Sequence, residues 1–132
     1  MKNLRIVAFA LVVCILFLGG CRTAPIRNIE LAPIAYSSEK THTMNDVKNA
    51  IIRGGYDRDW QMNDVAPGHL VATLNIRSHQ AIVDITYTPE NYSINYKDST
   101  NLKHKGNMIH SNYNAWIKNL ANSINLELSR LN

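Results

Sequence analysis

Five histidines, His42, His69, His79, His104 and His110, are the residues of this 132-residue chain whose chemistry is most versatile. A zinc site of the metalloprotease kind needs two of them four positions apart on one helical face. No pair has that spacing. His104 and His110 are near one another, but in a polar, turn-rich stretch where a solvated imidazole is the expected state. The reading is therefore no metal and no cofactor. Ser99, His110 and Asp98 supply the three side-chain types of an acyl-transfer triad. They lack the Gly-x-Ser-x-Gly elbow that would present the serine, and a chain of this size offers such trios by chance. Asp57 and Asp59 could be drawn as the paired carboxylates of a glycosidase. They alternate onto one side of an expected edge strand, where solvation is the plainer reading. The catalytic set is left empty.

The run from Tyr96 to Asn114 concentrates the side chains that can donate, accept or titrate. It joins the last expected strand to the last expected helix, and function gathers on loops held by a rigid scaffold. The candidate binding residues are Tyr96, Asp98, Ser99, Asn101, His110, Tyr113, Asn114 and Trp116. The expected use of most of them is structural. Asp98 or Ser99 fixes a turn, and His110 starts the helix, partly buried and bonded to the loop. His104 contributes little. All six tyrosines and both tryptophans lie beyond residue 21. Most are expected in the core with hydroxyls at its rim, Trp60 and Trp116 buried between sheet and helix. The alternative is a groove in which Tyr96, Tyr113 or Trp116 lines a ligand site.

The elements that must position these residues are read from periodicity. From His69 to Lys97, three runs alternate apolar and polar residues with the period of a half-buried strand. A two-residue loop at Ser78-His79 would set Ile76 against Ala81, Leu74 against Val83 and Ala72 against Ile85. A four-residue loop at Thr88–Asn91 would set Tyr87 against Tyr92 and Ile85 against Ile94. Both registers gather the apolar partners on one face. The other face, running from His69, Val71 and Thr73 to Asp84, Asn95 and Lys97, is polar and uncovered. In this register Thr73 and Asn95 flank Asp84, and Lys97 lies within reach of it.

Before this meander, Trp60 and Met62 point inward from an edge strand, and Val65–Gly68 forms the turn that follows. Thr43-Met44-Asn45-Asp46 fits a capping box, opening a helix over 44–53 that Gly54-Gly55 ends. After Met108, Tyr113, Trp116, Ile117, Leu120, Ile124, Leu128 and Leu131 recur at helical spacing. The fold class is α+β: a two-layer, four-stranded antiparallel meander with helices on one face, in the order α-β-β-β-β-α.

The first residues have another purpose. Lys2 and Arg5 precede an uncharged apolar run, Ile6 to Leu18, too short for a comfortable span and laid out as a signal peptide. Leu18-Gly19-Gly20-Cys21 then has the form of a lipobox, whose cysteine is acylated. The division is a signal peptide over 1–20, a lipidated cysteine and tether over 21–42, and a single domain over 43–132. As a flexible coil the tether would reach roughly 25 Å, enough to hold the domain clear of the headgroups; the alternative within it is that Ile26 to Ile34 lies against the domain. Cys14 leaves with the signal and Cys21 carries lipid, so no thiol remains for a disulfide, metal site or nucleophile. Cleavage also removes Lys2 and Arg5, leaving 12 basic against 10 acidic residues and lowering the net charge from +4 to +2. Nothing in that balance points to nucleic acid.

The lipobox and the segments Trp60-Gln61-Met62, Pro67-Gly68-His69, Tyr92–Tyr96, Asp98–Leu102 and Ile109–Trp116 resemble a family of small proteobacterial lipoproteins, from about Ala50 to Leu120. The resemblance implies a location and a fold and carries over no catalytic residue. In such lipoproteins the residue after the cysteine influences sorting. Arg22, in place of the aspartate of inner-membrane retention, implies an outer-membrane protein facing the periplasm. The expectation is an envelope protein held by lipid on Cys21, with a binding or structural domain and an envelope-protein or cell-wall partner. The competing reading is a small envelope hydrolase that uses loop 97–114.

Overall fold

The computed structural model describes residues 22–35 and 40–131; the expected signal peptide and Cys21 lie outside the described residues. Along the chain come β1 (Thr23–Pro25), β2 (Ile29–Pro33), α1 (Met44–Tyr56), β3 (Gln61–Ala66), β4 (His69–Ile76), β5 (His79–Tyr87), β6 (Asn91–Thr100), β7 (Met108–His110) and α2 (Ser111–Ser129). The class is α+β, with the expected meander β3-β4-β5-β6 inside a five-stranded antiparallel sheet of order β2-β6-β5-β4-β3. A separate two-stranded ribbon pairs β1 with β7.

The stretch expected as a tether pairs with the domain at two places, the second of them within Ile26–Ile34, the part that could lie against the domain. Thr23 faces His110, Ala24 faces Ile109 and Pro25 faces Met108. Farther on, Ile29 faces Ile94, Ala32 faces Tyr92 and Pro33 faces Asn91. Both strands are short, and each ends on a proline, which lacks an N–H and suits a sheet edge. Leu31 interrupts β2 with a positive φ of 47°. Side chains complete what the interrupted ladder cannot: Leu31 N–H donates to Ser93 Oγ at 2.9 Å, and Tyr96 N–H to Asn28 Oδ1 at 2.9 Å.

In the meander, Tyr87 faces Tyr92 and Ile85 faces Ile94 as expected, around a turn in which Thr88 Oγ1 accepts from the Glu90 and Asn91 amides. The β4–β5 register differs by two residues. The turn is Arg77-Ser78, so Ile76 faces His79, Leu74 faces Ala81, Ala72 faces Val83 and Leu70 faces Ile85. Arg77 enters the left-handed region (φ 54°), and the imidazole of His79 is held 2.7 Å from the Asn101 carbonyl, which draws His79 into the strand. A shift of two keeps every side chain on its face, so the core is unchanged. A bulge opposite Ile82 and Val83 leaves Lys97 as the extra residue on β6. The strand then runs on to Thr100, so Asp98 and Ser99 lie on a strand and not in a loop.

The capping box of α1 forms as read: Thr43 accepts from Asp46 N–H, and the Asp46 carboxylate accepts from Thr43 N–H. That last bond holds the Asp46 carboxyl below its usual range. Gly54-Gly55 does not end the helix, which continues to Tyr56. These glycines are contact points. A Cβ on Gly54 would lie 2.7 Å from the Ile124 Cα, and one on Gly55 would run into the Met62 side chain. Their smallness lets α1 press onto α2 and β3.

Along α2, Tyr113, Ile117, Leu120, Ala121, Ile124 and Leu128 are buried and the asparagine-rich side is exposed. Burial must hold this helix, because asparagine is a poor helix former. The same core takes in Val47, Ala50 and Ile51 of α1 and Leu70, Ala72, Val83, Ile85, Tyr92 and Ile94 of the sheet, so both helices share one face of it. Beside the crossing, the buried Glu127 accepts from Arg53 Nε at 3.0 Å and Arg130 Nη1 at 2.7 Å.

Gly54→Ala should therefore lower stability in chemical denaturation by about 1–3 kcal/mol, the usual cost of overpacking. Its neighbour separates crowding from helix propensity. Gly55→Ala should lose less, because the group it meets is the flexible thioether of Met62 and not backbone.

Candidate functional site

The structure spreads the candidate residues over β6, β7 and α2, with Asn101 alone of them in the loop 101–107. Most are engaged with backbone or with one another. Asp98 Oδ1 accepts from Ser99 N–H at 2.8 Å, and Ser99 Oγ lies 2.8 Å from the Tyr96 hydroxyl. Asn101 takes a positive φ of 57° and donates to Ser78 Oγ at 2.8 Å. Half-buried His110 is the N-cap of α2: its Nδ1 accepts from Asn112 N–H at 3.1 Å, and its own N–H donates to the Leu102 carbonyl at 2.8 Å. Asn114 reaches the N-terminal segment, accepting from Arg27 N–H and donating to the Pro25 carbonyl, each at 2.9 Å. Among the described residues, the Ser99 hydroxyl and the His110 imidazole are bonded to different groups, so the paper triad is not assembled.

The aromatics divide into two groups. Tyr96 packs edge-on against Tyr113 with ring centroids 5.7 Å apart, and its other neighbour is the exposed His104 at 4.7 Å. Tyr113 is wholly buried, and its hydroxyl has no hydrogen-bond partner among the described residues. Burial accordingly pushes its ionisation well above the ordinary tyrosine range. Tyr92, equally buried, is better served: it donates to Asn125 Oδ1 at 2.7 Å, and burial raises it to about 12. Trp60 is buried as expected, but Trp116 is only half-buried. It stands at the rim, 6.5 Å from the His79 ring, over an open hollow of about 240 Å³ shared with Asp57, Arg58, Asp59 and Trp60. Trp116, in the second turn of α2, thus lies at the edge of the apolar stripe and not beneath it.

Two further features are visible only in the folded chain. On the outer sheet face, Asp84 Oδ1 lies 2.7 Å from His69 Nε2 and 3.6 Å from Lys97 Nζ. Asp84 faces Asn95, whose amide donates to Glu30 Oε1 at 2.6 Å, so a polar array crosses β4, β5, β6 and β2. The Lys97–Asp84 pair was expected; His69 was missed because the two-residue register error put Thr73 opposite Asp84, where Val71 belongs. Placing the turn one residue earlier would have found it. The second feature is an open cleft of about 450 Å³ between the start of α1 and the β3–β4 turn, lined by Met44, Lys48, Asp64, Val65, Pro67 and Tyr87 among others. Its cation Lys48 donates to Asp64 at 2.9 Å, and that bond raises the ammonium above its usual range. No local pattern announces it, since it arises from the meeting of two distant segments.

Comparison of the chain with known protein families, with curated proteins and with solved structures gives no match.

Two sets of substitutions test these assignments. His110→Ala and Asn114→Ala should each lower stability by roughly 1 kcal/mol, through a lost cap and a lost long-range bond. His104→Ala should leave the thermal midpoint nearly unchanged. Among the tyrosines, Tyr113→Phe should be neutral or stabilising because it removes a hydroxyl without a partner, whereas Tyr92→Phe should cost about 1 kcal/mol. Tyr92 also sets a pH dependence. Its folded-state value lies above the unfolded value near 10, so its stabilisation is complete below about pH 10 and is lost as pH rises towards 12. Unfolding curves across that range should flatten in Tyr92→Phe relative to wild type.

Proposed function

We propose that this is a lipid-anchored bacterial envelope protein, retained by acyl chains on Cys21, whose folded domain binds a partner or plays a structural part and performs no catalysis. The observation that carries the reading is Leu18-Gly19-Gly20-Cys21 at the end of an uncharged apolar run that follows Lys2 and Arg5. Among the described residues no helix is long and apolar enough to cross a membrane, so lipid on Cys21 is the means of attachment proposed for them. Stable anchoring of this kind takes two lipid signals or more, which a multiply acylated cysteine would supply.

The outer membrane, facing the periplasm, is the proposed address, on the strength of Arg22 after the cysteine and of the resemblance to small proteobacterial lipoproteins. The polar array of His69, Asp84, Lys97, Asn95 and Glu30 is the surface the domain offers to an envelope protein or cell-wall partner. The hydrolase alternative has less support, since Ser99 is bonded to Tyr96 and His110 is occupied in capping α2.

Cys21→Ser tests the anchor. The variant should accumulate uncleaved or leave the membrane fraction, and it should lose incorporation of a palmitate analogue. Normal maturation and membrane retention of the variant would refute the proposal.

A further inference from the structure

The end of the domain nearest Cys21 is built without slack. Thr23 is already in β1, and the Arg22 carbonyl accepts from Ser111 N–H at 2.8 Å. Two residues of chain span at most about 7 Å. A lipid on Cys21 would therefore hold the start of β1, and with it the start of α2, close to the bilayer surface. It would leave no room for the coil that a free tether would provide.

The chemistry of that end suits an anionic surface. His110 N–H bonds to the Leu102 carbonyl, which brings Lys103 beside the start of α2. Asn101 bonds to Ser78, which brings the Arg77-Ser78 turn alongside. Arg22, Arg77 and Lys103 are all exposed, and among the described residues none of them is in an ion pair. The first turn of α2 carries no acidic residue, so the positive pole of its dipole is uncompensated there. The carboxylates at this end are Asp57 and Asp59, which line the hollow by Trp116 with Arg58 between them in sequence, and Asp98, which accepts from Ser99 N–H.

The backbone adds an independent observation. Arg77 and Lys103 have φ values of 54° and 53°, a conformation that glycine adopts at less cost. Long cations stand where the local geometry would favour a residue without a side chain.

We infer that the domain rests on the membrane to which it is anchored, with Arg22, Arg77 and Lys103 against anionic phospholipid headgroups. This inference rests on the proposed acylation of Cys21. It adds an orientation: the β4–β5 turn and the start of α2 face the lipid, and the β5–β6 turn faces away.

The test uses full-length protein expressed in bacteria, extracted with its lipid and reconstituted into vesicles of phosphatidylcholine alone or enriched in phosphatidylglycerol. With Cys14 removed and Cys21 acylated, a single dye can be placed at Ser78→Cys or Glu90→Cys. Energy transfer to a headgroup acceptor should be several-fold greater from position 78 than from position 90 in phosphatidylglycerol vesicles. The excess should shrink in phosphatidylcholine and in about 1 M salt, where the screening length is near 3 Å. Arg77→Gly/Lys103→Gly should keep or raise the thermal midpoint, because glycine relieves both left-handed residues. It should nevertheless lower the ratio of apposed to detached protein roughly 25-fold, at about fivefold per basic residue.

Equal transfer from the two positions would overturn the inference, as would indifference to phosphatidylglycerol, salt and the glycine pair. Intact mass separates the two readings. Acylated protein that fails the transfer test loses the orientation alone, whereas protein recovered without lipid on Cys21 loses both.

Discussion

The contact of Gly54 with the backbone of Ile124 is the constraint on which the layered structure depends. Two helices can cover a narrow sheet together only if they approach each other more closely than ordinary side chains permit. At this point the first helix offers no side chain at all. The approach lets Arg53 reach the buried Glu127, and on the next residue the missing side chain makes room for Met62 on the edge strand. Helix–helix and helix–sheet packing are therefore set by two adjacent positions. Each gives up helix propensity of about 1 kcal/mol relative to alanine in exchange for that closeness.

How far this architecture is legible in the chain depends on how local each signal is. The meander announces itself through period-two alternation over consecutive runs, and the capping box through four adjacent residues. The capping box forms as read, and the meander forms inside a five-stranded sheet with one of its hairpins shifted by two residues. The hairpin register at Arg77-Ser78 is less secure, because a shift of two residues satisfies the hydrophobic pattern equally well. Contacts of the turn, among them His79's bond to a distant carbonyl, accompany the observed alternative. Gly54-Gly55 reads as a helix stop because the same residue type serves termination and close packing, and the partner that distinguishes them lies some seventy positions on.

The pairing of the N-terminal strands is illegible for a related reason, although Ile26 to Ile34 reads as a stretch that can lie against the domain. Short, proline-ended and broken by Leu31, they have no period of their own. Their pairing is completed by side chains that belong to other elements, Ser93 and Asn114, and by Asn28 reaching back to β6. The candidate residues between Tyr96 and Asn114 show the same division. His110's role at the helix start follows from its position in the sequence. Asn114's role as a clasp for residues 25 and 27 does not, and neither does the polar array around Asp84, which needs four strands in register.

The long reach of that clasp bears on the order in which the chain can fold. Arg27 and Asn114 are 87 positions apart, whereas the hairpins of the meander join neighbours. Closing a long loop costs entropy before the contact returns any. The hairpins and their helices can therefore form early, and β1 is stitched to β7 at the end. Its partner strand lies near the end of the sequence, so the ribbon cannot close until almost the whole chain has emerged. Until then β1 has no strand to pair with, whereas β2 needs only residues 91–94 of β6.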